Sequence, residues 1–291
     1  MAVSNGPSIS LCGEVRVELR GRSLEGVVGG SSAKLAFAYL ILNRGHPIER
    51  DELVAAVWGD DAPRDPHHAL RTVLYRLRKA LGPSFVPGRK SVSLNLPAAT
   101  VIDVEEVERA LVRAEKAVAR HRCGTAMEEA RNAVLLTEGG LLRGLDREWL
   151  DMRRRELGMQ RATALACIAR ASLELGGANL RAGERAARNL IEIEPFRESG
   201  HVLLIQTLAA RGDVAEALRA YESVRVRLRE ELGTVPSLEL RRLHADLLAG
   251  GRAPARRRRP RAAQILALLP FLLGIGDQIE SVDGLIASFP A

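Results

Sequence analysis

The spacing of apolar and polar residues divides the chain into a mixed N-terminal part and a long helical part. Apolar and polar positions alternate between residues 8 and 24, which predicts short strands. Helical periodicity then predicts three helices, at 33–42, 49–58 and 65–81. The third ends before Gly82-Pro83, a common helix terminator. The stretch 85–96 predicts a hairpin with Gly88-Arg89-Lys90 at its tip, and this order of elements is that of a winged helix-turn-helix.

The helical part spans residues 101–248. We expect it to be helical almost throughout, with breaks at Gly139-Gly140, Gly176-Gly177, Gly212 and Pro236. An approximate internal repeat with an offset of 35 residues matches Ala166 to His201, Ala169 to Leu204, Leu173 to Leu208, Gly177 to Gly212, Ala182 to Ala217 and Ala186 to Tyr221. A period near 34 with small residues at helix crossings is typical of tetratricopeptide-type helix pairs, which usually bind proteins.

These patterns predict a mainly α protein with an α+β winged helix-turn-helix followed by an all-α, tetratricopeptide-like helical-repeat domain. The predicted boundaries are 1–98 for the first domain, 99–250 for the second and 251–291 for a tail. In the tail, a basic linker with Arg256–Arg259 precedes an apolar run at 265–275. That run is shorter than the roughly 20 residues of a membrane span, so the predictions are a tail of uncertain order or, as the alternative, a membrane-surface anchor.

The composition and the cysteine pattern indicate which broad class of protein this is. Apolar residues make up 46% and charged residues 27% of the 291 positions, as in globular proteins. Cys12, Cys123 and Cys167 are scattered and form no paired motif, so we expect neither a disulfide framework nor a zinc site. The N-terminus has no signal-peptide pattern, and the protein is therefore expected to be cytoplasmic, with membrane binding disfavoured.

Charge is unevenly distributed along the sequence. Residues 1–97 carry 13 basic and 9 acidic side chains, whereas residues 98–250 carry 24 of each. A cationic head on a neutral body is what a nucleic-acid partner for the head requires, although a chance excess on a solvated surface gives the same count.

The predicted helix 65–81 has the character of a DNA-reading helix. On a helical wheel its apolar residues gather on one side. The opposite side presents the hydrogen-bond donors His68, Thr72, Tyr75, Arg76 and Lys79, with Arg71 and Arg78 on its flanks. A donor-rich helix fits the major groove, where arginine pairs with guanine and lysine contributes charge. A basic hairpin follows the helix. This combination favours a face that binds double-stranded DNA over an ordinary solvated face.

Two domains in this order resemble the Streptomyces antibiotic regulatory protein family. Residues 33–81 are similar to its OmpR-type winged helix, and the stretches that carry this similarity are Leu53–Asp61 and Ala69–Leu81. Residues 149–248 are similar to the bacterial transcriptional activator domain, through Trp149–Leu157, Glu194–Glu198, Ala215–Tyr221 and Glu231–Gly233. In place of the family's Gly-Tyr-Arg-Leu stretch at the end of the wing, this chain has Ser91–Leu96.

The resemblance implies an activator that binds direct repeats in promoters of secondary-metabolite genes and recruits RNA polymerase. It also implies that Arg76 reads bases, that Arg78 grips phosphate and that Arg89 or Lys90 enters the minor groove. Lys34, at a helix start, is expected either to contact a phosphate or to be simply exposed. We assign contact with a partner, or with a second copy in a homodimer on DNA, to the helical repeats.

No motif for catalysis, a cofactor or a metal stands out. The stretch Gly29–Lys34 lacks phosphate-loop spacing, and His67-His68 has no further ligand nearby in a metal-binding motif. Trp58 and Trp149 are expected to be packing anchors. The competing hypothesis is a tetratricopeptide-type adaptor whose basic head binds protein or membrane.

Overall fold

A computed structural model describes residues 6–19, 21–23 and 29–250, apart from the side chain of Arg22. The chain forms two compact units. The first unit holds the chain up to residue 117 together with residues 124–168, and the described part of the second holds 118–123 and 169–250. The predicted tail 251–291 and positions 20 and 24 of the predicted strand region lie outside the described residues.

The strands of the first unit are short and form two sheets. They are β1 (Ser8–Ser10), β2 (Arg16–Leu19), β3 (Arg22–Ser23), β4 (Ile48–Glu49), β5 (Ser91–Val92) and β6 (Val101–Ile102). The larger sheet has the order β3-β2-β1-β6, with β1 antiparallel to β2 and parallel to β6. In the smaller sheet β4 pairs with β5, and Ile48 is opposite Val92. Because β6 runs directly into the next helix, the larger sheet joins the N-terminus to the start of the helical region.

The helices of the first unit follow the predicted order. They are α1 (Ser31–Leu42), α2 (Arg50–Trp58), α3 (Pro66–Leu81), α4 (Asp103–Ala119), α5 (Cys123–Leu136) and α6 (Glu148–Leu175), the last of which continues into the second unit. Large apolar side chains of α1, α2 and α3 are fully buried, among them Phe37, Leu40, Leu53, Leu70, Leu74 and Leu77. Burial of these groups supplies most of the free energy that holds the three helices together. The predicted winged helix-turn-helix is confirmed.

The second unit is built of helical hairpins. After the end of α6 it contains α7 (Leu180–Ile193), α8 (Glu198–Arg211), α9 (Val214–Leu232) and α10 (Leu238–Leu248). A Cβ on Gly183 would lie only 2.7 Å from the Cβ of Ser172, so the glycine lets α7 approach α6 closely. The repeat-related residues Ala186 and Tyr221 are both buried. This confirms the mainly helical fold class with its tetratricopeptide-like second part.

Two helix breaks and three short strands depart from the prediction: β4 and β6 lie outside the predicted strand segments, and β5 pairs with β4. The break at 120–122 has no glycine or proline, and there His121 takes the left-handed conformation with φ 54°. A second unpredicted break, at 194–197, contains Pro195. In the predicted hairpin at 85–96, backbone hydrogen bonds from Ser93 to Pro87 and from Asn95 to Phe85 join the two arms, and β5 also pairs with β4, a pairing that the sequence does not predict. In the described parts of the chain, no helix is both long enough and apolar enough to cross a bilayer.

Candidate nucleic-acid interface

The ends of α3 are fixed by local chemistry. The Asp65 carboxylate accepts a hydrogen bond from the backbone N–H of His68 at 2.8 Å, which caps the N-terminus. Pro66 occupies the first helical position, where an N–H has no acceptor in the helix. Gly82 ends the helix with φ 107°, a conformation that favours glycine. The predicted segment 65–81 therefore forms one amphipathic helix.

The exposed side of α3 carries the predicted donors. The exposed residues among them are His68, Arg71, Thr72, Tyr75, Arg76 and Lys79. Thr72 Oγ1 donates to the carbonyl of His68 at 3.2 Å, and Arg71 Nη2 lies 3.1 Å from His68 Nδ1. These contacts order the first two turns. Among the described residues, the side chains of Tyr75, Arg76 and Lys79 have no hydrogen-bond partner, and Tyr75 is 65% exposed.

The cations of this face are not neutralised by the protein. No carboxylate in the described residues lies within 4.0 Å of Arg71, Arg76 or Lys79. By contrast, Arg113 on α4 pairs with both Glu106 and Glu129. An unpaired row of positive side chains on an exposed helix is suited to phosphates and base edges, which supply the missing anions and acceptors.

The segment after α3 forms a wing whose backbone is held by two arginines. We define the wing as residues 85–95. Arg78 Nε donates to the carbonyl of Val86 at 2.8 Å and Nη2 to that of Gly88 at 2.7 Å. Arg50 Nη1, from the start of α2, donates to the carbonyl of Arg89 at 3.1 Å. The wing is thus attached to both helices of the helix-turn-helix.

Backbone geometry also fixes the tip of the wing. The N–H of Asn95 donates to the carbonyl of Phe85, and that of Ser93 to Pro87. Gly88 has φ 104°, and a Cβ there would lie 2.0 Å from the carbonyl oxygen of Ser91, so only glycine fits. Arg89 and Lys90 follow it with exposed side chains. The tip therefore presents two cations on a closed loop.

Arg78 is placed differently from the other predicted site residues. It is half-buried, and two of its nitrogens are already used by the wing. Its placement joins α3 to the wing. Sequence reasoning missed Arg50, because its position beside the wing depends on the pairing of β4 with β5, which the sequence does not show.

Lys34 lies in the first turn of α1 and is half-exposed. Its backbone N–H bonds to the carbonyl of Gly30, whereas its side chain has no hydrogen bond or ion pair with the described residues. No hydrogen bond or ion pair joins its side chain to the described part of α3 or of the wing, and its role in DNA contact stays a prediction.

Residues of the helical region within the first unit form hydrogen bonds and a ring contact with the helix-turn-helix. Trp149 Nε1 donates to the carbonyl of Ala56 at 2.8 Å, and Arg147 Nε donates to that of Val57 at 2.9 Å. Both carbonyls lie in the last turn of α2, where they have no partner inside the helix. The Trp149 ring meets Tyr39 edge-to-face with centroids 5.1 Å apart. Trp149 is thus a packing residue that also fixes α2.

Comparison with known families matches both parts of the chain. Residues 33–91 match the family model described as transcriptional regulatory protein, C terminal, and residues 102–248 match the bacterial transcriptional activator domain. The chain is 29% identical to the regulatory protein AfsR of Streptomyces coelicolor over 237 residues, which cover 81% of this chain and 24% of AfsR. It therefore spans about a quarter of the length of that relative.

Two further comparisons agree in fold and family. The transcriptional regulator RedD of S. coelicolor is 29% identical over 238 residues, 77% of this chain and 66% of RedD. The solved structure of Mycobacterium tuberculosis EmbR in complex with a low-affinity phosphopeptide superposes with a TM-score of 0.77 at 20% identity, covering 96% of this chain and 73% of EmbR. By their names, AfsR is a regulatory protein, and RedD and EmbR are transcriptional regulators. An OmpR-type winged helix precedes the activator domain, in the order found in the Streptomyces antibiotic regulatory proteins. Since the activator-domain model spans just over half of the chain, the protein belongs to the bacterial transcriptional activator domain family and is a regulator of the Streptomyces antibiotic regulatory type.

Proposed function

We propose that the protein is a sequence-specific transcriptional activator that binds direct repeats in promoters of secondary-metabolite genes and recruits RNA polymerase. In this proposal α3 enters the major groove, Arg76 contacts base edges, and Arg71 and Lys79 contact phosphates. The wing follows the backbone, with Arg89 or Lys90 in the adjacent minor groove. The observation that carries the proposal is the exposed, unpaired donor face of α3 next to a wing that Arg78 and Arg50 hold in place.

The proposal assigns a different role to each of three segments of the chain. Residues 1–98 bind DNA, residues 99–250 contact RNA polymerase or a second copy of the protein, and residues 251–291 form the tail. Helical hairpins of the second unit supply an extended surface for such a contact.

DNA binding is tested by measuring affinity against salt concentration. The probes are the chain's own upstream promoter region and a scrambled duplex of equal length. We expect the native duplex to bind more tightly, and the Lys79→Ala variant to reduce the salt slope by about one unit for both duplexes, because one phosphate contact is lost. The matched control is Arg219→Ala, since Arg219 is an exposed cation on α9 without an ion pair among the described residues. Equal binding of both duplexes with unchanged slopes in Lys79→Ala would favour the adaptor hypothesis.

Activation is tested separately with transcription in vitro. A promoter carrying the bound repeats should give more transcript when the full chain and RNA polymerase are present. A variant lacking residues 169–250 should retain repeat binding and lose the stimulation. Stimulation that persists in this variant would remove the second unit from polymerase contact.

A further inference from the structure

A cleft of about 760 Å³ lies in the first unit, between the end of α5, the segment 137–147 and the middle of α6. Leu141, Leu145 and Leu157 give it an apolar lining. This volume is within the usual range of small-molecule sites, roughly 300–1,000 Å³, which are mostly apolar with a few placed polar groups. The DNA-facing residues of α3 and the wing are not among those that line it.

The wall of the cleft is a built structure organised by one arginine. Arg154 Nε donates to the carbonyl of Leu141 at 3.0 Å, and its Nη2 donates to those of Leu142 and Leu145 at 3.0 and 2.6 Å. Its Nη1 pairs with Asp151 at 3.0 Å. Leu142 is held buried with φ 45°, a conformation that non-glycine residues seldom adopt unless the surroundings impose it. The segment is therefore shaped before any ligand arrives.

Arg161, in contrast, has unused binding capacity. Its Nη1 donates to the carbonyl of Val134 and to Thr137 Oγ1, both at 2.8 Å, which fixes the guanidinium beside the cleft. Its other three N–H groups have no partner among the described residues, and no described carboxylate lies within 4.0 Å of it or of Arg143. Among the described residues, the cleft is lined by three arginines and one carboxylate, that of Asp146. Its charge balance thus favours an anion.

Gly158 provides the third observation. It lies inside α6, where glycine disfavours the helix, yet a Cβ built on it would meet nothing within 4 Å. The packing of the chain therefore does not require glycine at this position. Gly158 lines the cleft, so the absence of its side chain enlarges the space there.

We infer that this cleft binds a small amphipathic carboxylate. The apolar body of the ligand lies against Leu141, Leu145 and Leu157 over Gly158, and its carboxylate pairs with Arg161, assisted by Arg143. This inference does not rest on the proposed contacts with DNA, since it uses none of those residues.

Calorimetry with 2-naphthoate, decanoate and indole-3-acetate as probes tests the site on the full chain. At least one carboxylate should bind with a Kd below about 1 mM, and its carboxamide should bind about tenfold more weakly. The Gly158→Leu variant, which places a bulky side chain where the body of the ligand would lie, should lose at least about tenfold in affinity. It should melt no lower than the unmodified chain, since the space is open. Arg161→Gln should bind the carboxylate and the carboxamide equally.

Two matched controls separate the cleft from general surface binding. Gly124→Leu places the same side chain on an exposed helical glycine of α5 that also has open space, and Arg131→Gln removes an exposed cation outside the cleft. Neither should change affinity. Failure of all three carboxylates to bind, or binding that Gly158→Leu and Arg161→Gln leave unchanged, overturns the inference.

Discussion

Arg76 and Arg78 lie two positions apart on α3 and have different environments. Arg76 is exposed and has no partner among the described residues, whereas Arg78 is half-buried and donates to two carbonyls of the wing. Arginine serves both roles because its fork of donors fits a base edge as well as a pair of carbonyls. The structure therefore favours Arg76 for the predicted contact with bases. The guanidinium of Arg78 already binds the wing, so a contact with phosphate would have to use its remaining N–H groups.

Replacing Arg76 tests its role as a base reader. Arg76→Ala should weaken binding to the native site by about 1–3 kcal/mol and relax preference at one base position, because a bidentate contact is lost. Stability should barely change, since the side chain is exposed. Leu77→Ala next to it should instead cost about 2–5 kcal/mol of unfolding free energy, because Leu77 is fully buried. Quantitative binding to a set of single-base variants, with thermal melts of both proteins, distinguishes the two effects.

Cys12 predicts a difference in alkaline stability. Burial, reinforced by the nearby carboxylate of Asp103, raises the pKa of the Cys12 thiol to about 12. In the unfolded chain a thiol ionises near pH 8.5. Above that pH the unfolded state loses a proton that the folded state keeps, so stability falls as pH rises, by at most about 1.4 kcal/mol per pH unit.

The measurement is urea unfolding at pH 8 and pH 10.5 for the native chain and for Cys12→Ala. The native chain should lose more stability over this range than the variant, in which other titrating groups are unchanged.

The burial of Cys12 is tested by labelling. A Cys123→Ala, Cys167→Ala double variant, in which Cys12 is the remaining thiol, should react with a thiol reagent at pH 8 only after unfolding. Rapid labelling of its folded form would show that Cys12 is accessible.

At the scale of elements, the helices were predictable and the irregular joints were not. The period of buried leucines, the Asp65 cap and Gly82-Pro83 located α3 within a residue of its observed ends. The break at His121 has no signal in the sequence, since a histidine there adopts a conformation usually left to glycine. The pairing of β5 with β4, some 40 residues earlier, was not predicted, because periodicity does not report such distant pairing.

The site shows the same division between local and distant information. The exposed donors of α3 follow from one helical wheel, because they share one element. Arg50 and the carbonyls that Arg78 binds depend on how the wing folds back onto α2 and α3, so spacing along the sequence did not reveal them. The roles of these residues on DNA remain predictions.

The wing gives a prediction at this scale. Gly88→Ala should cost about 1–3 kcal/mol of stability and weaken DNA binding, because the added Cβ meets the carbonyl of Ser91 and the positive φ is strained. Gly212→Ala is the control, since Gly212 also has positive φ, 88°, but open space around its Cβ. It should lower stability modestly and leave DNA affinity unchanged. The check is a melt and a binding curve for each variant, and an unaffected DNA affinity in Gly88→Ala would argue against a role for the wing.

At the scale of the molecule, the first compact unit does not end where the predicted first domain ends. It includes residues 124–168, and β6 at 101–102 pairs with β1. Asp103 Oδ2 accepts hydrogen bonds from the backbone N–H groups of Leu11 and Cys12 at 2.7 and 2.8 Å and from Ser10 Oγ at 2.8 Å. A fragment of residues 1–98 lacks β6 and Asp103 as well as Trp149. Whether it closes its own core stays a prediction, but the structure indicates that a longer piece is the more stable unit.

We therefore expect residues 1–168 to unfold cooperatively and at a clearly higher temperature than residues 1–98. Backbone donors at Leu11 and Cys12 that are buried by the sheet and satisfied by Asp103 lose their acceptor in the short fragment, and each unsatisfied group costs about 1–3 kcal/mol. Asp103→Ala in the long fragment removes the same acceptor without shortening the chain, and should lower its melting temperature part of the way toward that of 1–98. Asp146→Ala is the matched control, because Asp146 is exposed and forms no ion pair with the described residues. Thermal melts followed by circular dichroism compare the four proteins. Equal melting temperatures for 1–98 and 1–168 would mean that the contacts of Asp103 and Trp149 add nothing to the winged helix, and that the DNA-binding part is independent of the helical region.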